Sequence, residues 1–202
     1  MNENTHSTDS AFNTASSDVA ELNELLQKIK DADDKVRADA AEKLINRGPA
    51  AVQPLVNTME DKNFEIARSA KRALWKMVRY SGKPGADSNR EKICDQLFKA
   101  LELKLSVQTK RELLWMLSEI GGDDAVSQIS KYFNNNDLKE DARCCVERIP
   151  SEKAISALQT AFKKADEEFK YALAESLRAR GVKIEGYQSK KLIPTRQTNI
   201  GK

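Results

Sequence analysis

Histidine is almost missing from this chain: His6 is the only one among 202 residues. It precedes all the patterned sequence, so no Ser–His or Cys–His nucleophilic pair can form in the patterned part. Three cysteines are too few for a disulfide framework. Cys94 and Cys144 fall on apolar helical positions, where cysteine behaves as a small hydrophobe. Adjacent Cys144 and Cys145 have no other cysteine or histidine at ligand spacing, which argues against a metal site or redox pair. A reducing, cytoplasmic compartment is expected. Aromatic residues make up only 6%, with 8 glycines and 5 prolines, a profile that excludes a β-sandwich. The longest apolar run, Leu113–Leu117, is far too short to span a bilayer, and the N-terminal residues show no apolar secretory segment. No charge of one sign dominates either. The 34 Lys and Arg against 31 Asp and Glu leave a net +3, too little to imply nucleic acid by itself.

What the chain does have is a short pattern met five times. An aliphatic residue is followed four positions on by a small or aliphatic one, and four further by another aliphatic. It reads Val36, Ala40, Leu44; Ile66, Ala70, Leu74; Thr109, Leu113, Leu117; Leu138, Ala142, Val146; and Phe169, Leu173, Leu177. A helix stop often follows, at Gly48, Gly121, Pro150 and Gly181. The third members lie 30, 43, 29 and 31 residues apart. Helical spacing repeated near every 30 residues predicts stacked helix pairs, an all-α solenoid of four to five pairs.

Residues 1–17 are rich in Asn, Ser and Thr and are expected to be disordered. Ser17 or Asp18 then caps a helix to about Lys30 that closes the first stack. The repeat domain is expected over 18–182. Pro54 lies inside a second helix whose apolar spacing continues through it, so a bend is expected there. The long interval contains an insertion at 80–90, read as a loop from its glycines and proline. Residues 183–202 form a tail of net +4, while the first 19 residues carry −3.

The segment Asp34-Lys-Val-Arg-Ala-Asp-Ala-Ala-Glu-Lys-Leu44, followed by Gly48 and Ala51-Val-Gln-Pro-Leu55, resembles a HEAT repeat of the short bacterial type, similar to phycobilisome-lyase repeats. The likeness covers roughly residues 18–182. It weakens in pair two, where the arginine sits at Arg68 and Ala67 takes its place, and in pair three, where Thr109 replaces an aliphatic. The resemblance implies a right-handed superhelix of antiparallel helix pairs whose second helices line a concave surface. It also implies protein binding as the commonest role. Nucleic-acid binding, including DNA-base glycosylase activity, and attachment of bilin chromophores are rarer roles among similar proteins. No lyase-specific or other catalytic residue is identifiable, so a non-enzymatic scaffold without cofactor or metal is expected.

Three sets of residues are candidates for binding. Arg37, Lys110, Lys139 and Lys170 follow the first aliphatic of their helices, an offset beside the buried stripe that suits ties between repeats. On the second helices the side opposite the apolar stripe carries Gln53, Asn57 and Glu60, then Asp95, Lys99 and Glu102, then Ser127 and Lys131, then Ser156, Thr160 and Lys163. Lys99, Lys131 and Lys163 recur every 32 residues. Stacked helices ~8–10 Å apart would line them up toward an acidic segment of a protein partner. The acids near Lys99 disfavour a phosphate backbone along this groove. Third, Trp75 and Trp115 fall roughly opposite the apolar stripes of consecutive first helices. They serve either as exposed anchors or as side chains that pack sideways or lie under the insertion or the tail, with Tyr187, Leu192 and Ile193 as candidate covers.

Overall fold

The computed structural model describes residues 6–188, and every regular element among them is helical. Short polar side chains set where the helices begin, because each accepts an amide left without a partner in the first turn. Asp33 accepts the Lys35 amide ahead of α2 (Asp34–Leu44), and Asn63 accepts that of Glu65 ahead of α4 (Phe64–Ser81). Ser106 takes the Thr109 amide before α6 (Val107–Ile120). Ser151 and Asp166 cap α9 (Glu152–Lys164) and α10 (Glu167–Ala179) in the same way. The remaining helices are α1 (His6–Lys28), α3 (Val52–Thr58), α5 (Asp87–Leu101), α7 (Asp123–Ile129) and α8 (Lys139–Arg148). A 3-10 segment, Ile45–Ala51, leads into α3, and another, Ser130–Asn134, extends α7.

The first helices α2, α4, α6, α8 and α10 pack on one another in chain order, and the second helices α1, α3, α5, α7 and α9 lie against them. The molecule is an all-α helical repeat solenoid. The second and third positions of each repeat are its core: Ala40, Leu44, Ala70, Leu74, Leu113, Leu117, Ala142, Val146, Leu173 and Leu177 are all fully buried, while the first members Val36 and Ile66 are half-buried. A buried leucine of this kind contributes roughly 1.5–3 kcal/mol of transfer free energy. Thr109, the odd member, is buried too.

Three local expectations differ from the structure. The first helix begins at His6 rather than at Ser17 or Asp18, and so runs through the stretch expected to be disordered. Neither glycine nor proline interrupts residues 6–28, so a helix nucleated by the buried Leu25 and Ile29 meets no breaker. The insertion at 80–90 is mostly helix: α4 continues to Ser81 and α5 starts at Asp87, leaving Gly82–Ala86 as the turn. The extra residues lengthen both helices because Met77, Val78 and Ser81 are still buried at the end of α4. Pro54 is the third residue of α3, within its first turn, and no break in helical backbone falls there. The break lies earlier, at Gly48, whose φ of 55° is left-handed backbone that favours glycine. The tail turns back, at least to Tyr187. That ring packs edge-on against Phe162 and Tyr171 at 5.2 Å, and its hydroxyl donates to Glu167. Leu192, Ile193 and the tail's Lys190, Lys191 and Arg196 lie outside the described residues.

The two layers are not equally continuous. α3 packs on α5, and α7 on α9, but α5 and α7 barely meet, as is also true of α1 and α3 at the start of the layer. α7 also leans on α8 instead of on α6, its chain neighbour. The second-helix layer is thus parted at the Gly121-Gly122 joint, while α6 and α8 hold the first-helix layer together across it.

Candidate partner-binding surfaces

Most of the basic residues following the first aliphatic have structural partners. Arg37 is buried and donates to the carbonyls of Asp31 and Ala32, to Asp34, and to the Ser69 hydroxyl of the next repeat. Lys139 reaches Asp166 and sits over the Phe169 ring, and Lys170 pairs with Glu167. These residues tie adjacent turns and repeats together.

The two tryptophans are also ties. Trp75, half-buried, donates its indole N–H to Glu112 at 3.1 Å, and Lys71 reaches the other oxygen of the same carboxylate at 3.1 Å. Trp115 donates to Asp141 at 3.0 Å, with Arg111 on the second oxygen at 3.2 Å. In each case a base one turn before the tryptophan shares its acceptor. Glu112 and Asp141 both precede the middle residue of their repeat, Leu113 and Ala142, so the acceptors are equivalent while the donors differ by a turn. A guanidinium then covers each ring: Arg79 lies 5.2 Å from Trp75 and Arg148 5.8 Å from Trp115. Tyr187 covers neither, because it is seated on α9 and α10. The sequence signal for the arrangement was present in the paired spacings Lys71–Trp75 and Arg111–Trp115, but helix periodicity alone does not say which neighbouring carboxylate is in reach.

Among the polar residues of the second helices, several join elements. Gln53 donates to the Gln96 carbonyl at 2.6 Å, between α3 and α5. Glu60 accepts both the amide and the hydroxyl of Ser106. Burial opposes ionisation of Glu60, but hydrogen bonds from Thr109 and Ser106 outweigh it and hold its carboxyl below the ordinary glutamate range. Glu102 accepts from Tyr132 at 3.5 Å across the parted layer. Lys99, Lys131 and Lys163 differ: all three are exposed, and no carboxylate among the described residues lies within ion-pair distance of them. The parting between α5 and α7 puts Lys99 on one half of the layer and Lys131 and Lys163 on the other.

That second half contains an open groove of about 1030 Å³ between α7 and α9. Val126, Phe133 and Phe169 supply its apolar lining, and Ser127, Ser130, Ser156 and Thr160 its hydroxyls. Acids gather at the helix starts, with Asp123, Asp124 and Glu152, where the helix dipoles favour them. Lys139 and Lys164 line the other end beside Asp166. Lys131 and Lys163 are not part of the lining, whereas Lys164, which the 32-residue spacing passes over, is. The Phe169 amide bonded to Asp166 holds that carboxyl low, and the Ser151 hydroxyl does the same for Asp123. The groove is therefore charged at both ends at neutral pH.

The cysteines are free. Burial pushes the Cys94 thiol up to about 11 and raises those of Cys144 and Cys145. A protonated thiol is a poor nucleophile and metal ligand. No cluster of metal-binding side chains occurs among the described residues, and no helix among them is long and apolar enough to cross a membrane.

The architecture defines the class: a helical repeat solenoid, as the HEAT-like resemblance implies. No family model and no curated protein matches the chain. Solved structures to which the chain is similar include three engineered or designed proteins. One engineered protein is 21% identical, with 86% of this chain and 85% of that chain covered at a TM-score of 0.41. A designed armadillo repeat protein in complex with the peptide (KR)4 is 18% identical over 78% and 81% of the two chains, TM-score 0.43. A further engineered protein is 18% identical over 78% and 80%, TM-score 0.42.

Proposed function

We propose that this protein is a non-enzymatic cytoplasmic scaffold that captures an extended segment of a protein partner on its second-helix face. The observation that carries the reading is the open groove between α7 and α9, apolar along its floor, hydroxyl-lined and charged at both ends. An extended peptide suits such a site: side chains fill the apolar floor, and serine and threonine hydroxyls serve its backbone. Lys131, Lys163 and Lys164 at the far end of α9 and its neighbour have no acid bound to them, so an acidic stretch of the partner belongs there. Lys99 extends the same preference onto α5.

Affinity capture from the native host with mass spectrometry, followed by binding assays with the recovered partner's segments, tests this reading. Changing Lys99, Lys131 and Lys163 together to Glu should abolish capture while leaving the melting temperature unchanged, since none of the three holds the fold. Undiminished capture by the triple variant would sink the assignment.

A further inference from the structure

The strongest unassigned feature lies on the opposite layer. α4 carries five basic residues, Arg68, Lys71, Arg72, Lys76 and Arg79, and its only acid is Glu65. At 3.6 residues per turn, Arg68, Arg72, Lys76 and Arg79 form one outward stripe, which Lys83 continues past the helix end. From Arg68 to Lys83 the stripe runs about 22 Å at the helical rise. Aromatic rings flank it, and each is covered by a cation of the stripe: Arg68 over Phe64 at 5.9 Å, Arg79 over Trp75 at 5.2 Å, and Lys83 over Tyr80 at 4.2 Å. Phe64 is 72% exposed and Tyr80 45%, although both are large apolar rings.

The charge is not cancelled. Arg68, Lys71 and Lys76 pair with Glu65, Glu112 and Glu42. Arg72, Arg79 and Lys83 have no ion-pair partner among the described residues. Beside them α2 and α4 enclose a cleft of about 470 Å³, lined by Arg37, Arg72, Trp75, Lys76 and Arg79. Its one acid, Asp34, is already held by Arg37 at 3.0 Å.

We infer that the outward face of α4 binds single-stranded nucleic acid. Evenly spaced cations match a phosphate backbone, and the exposed rings of Phe64 and Tyr80 beside them leave one face each on which unpaired bases can stack. An acidic peptide would meet the cations but make no use of the rings. A duplex would offer phosphates but keep its bases stacked within itself. The mixed charge that disfavours phosphate in the α7–α9 groove does not apply here, because this face is a different layer of the molecule.

The full chain should bind a fluorescein-labelled oligothymidylate of about a dozen nucleotides at low salt, read by anisotropy. With three unpaired cations engaged, the log–log salt slope should be about −2. Changing Arg72 and Arg79 together to Glu should weaken binding at least tenfold with the fold intact, since neither makes an ion pair. In a Trp115→Phe variant, the remaining Trp75 emission should be quenched by the oligonucleotide. The Lys99, Lys131 and Lys163 triple variant should bind it like the unmodified protein, which separates this site from the peptide groove. The inference is overturned by any of four results: no binding at low salt, full binding by the Arg72 and Arg79 variant, tighter binding of a duplex of the same length, or equal displacement by oligoglutamate.

Discussion

Single side chains in this solenoid act mainly as ties between repeats. Trp75 and Trp115 each spend the indole N–H on a carboxylate of the next first helix, and a lysine or arginine shares that acceptor. Replacing Trp75 by Phe keeps most of the ring but leaves Glu112 with Lys71 alone. The expected cost is about 1–2 kcal/mol for a hydrogen bond to a charged acceptor. A thermal or urea double-mutant cycle with Glu112→Gln measures it; a coupling energy indistinguishable from zero would remove the tie from the account. Helix periodicity set both tryptophans roughly opposite their own stripes, and Trp75 still packs against the edge of the core. Periodicity could not find their partners, since those lie 37 and 26 residues away on another helix. The same holds for Gln53 and Glu60: polar residues facing outward from one helix were bonded to a neighbouring element that local spacing does not describe.

At the scale of elements, breakers were easy to read because they act within a few residues, whereas the start of the first helix was not. Asp33, Asn63, Ser106, Ser151 and Asp166 start their helices as short polar residues should. Gly48 and Gly121 mark breaks. The insertion was misjudged because its composition spoke for a loop while burial at the end of α4 carried the helix onward. The consecutive glycines of the central joint differ sharply in what they tolerate. A Cβ on Gly121 would lie 2.6 Å from the Leu117 carbonyl oxygen and 3.0 Å from the Ala125 methyl, whereas one on Gly122 meets nothing. Gly121→Ala should therefore lower stability by ~1–3 kcal/mol, as overpacking does. Gly122→Ala should stay within ~0.5 kcal/mol of the unmodified protein. Equal melting temperatures for the two variants would contradict the close approach at Gly121.

For the whole molecule, the period near 30 was sufficient to define an array of helix pairs, since the second and third residues of each repeat are fully buried. Layer continuity was not legible, because it depends on how helices lean and not on which face is apolar. Surface charge was legible as counts, yet only the packed structure distinguishes Lys71 and Lys76, which have acids, from Arg72 and Arg79, which do not. The parted second-helix layer has a further consequence, for the order in which the protein comes apart. In a solenoid, cooperativity passes from neighbour to neighbour. At the joint it passes mainly through α6 and α8. Native-state hydrogen exchange should therefore sort the amides into two cooperative units, α1–α6 and α7–α10, with separate opening free energies. Trp115→Ala, which cuts the tie between α6 and α8, should widen that gap, so the molecule would unfold as two bodies sharing a single hinge line.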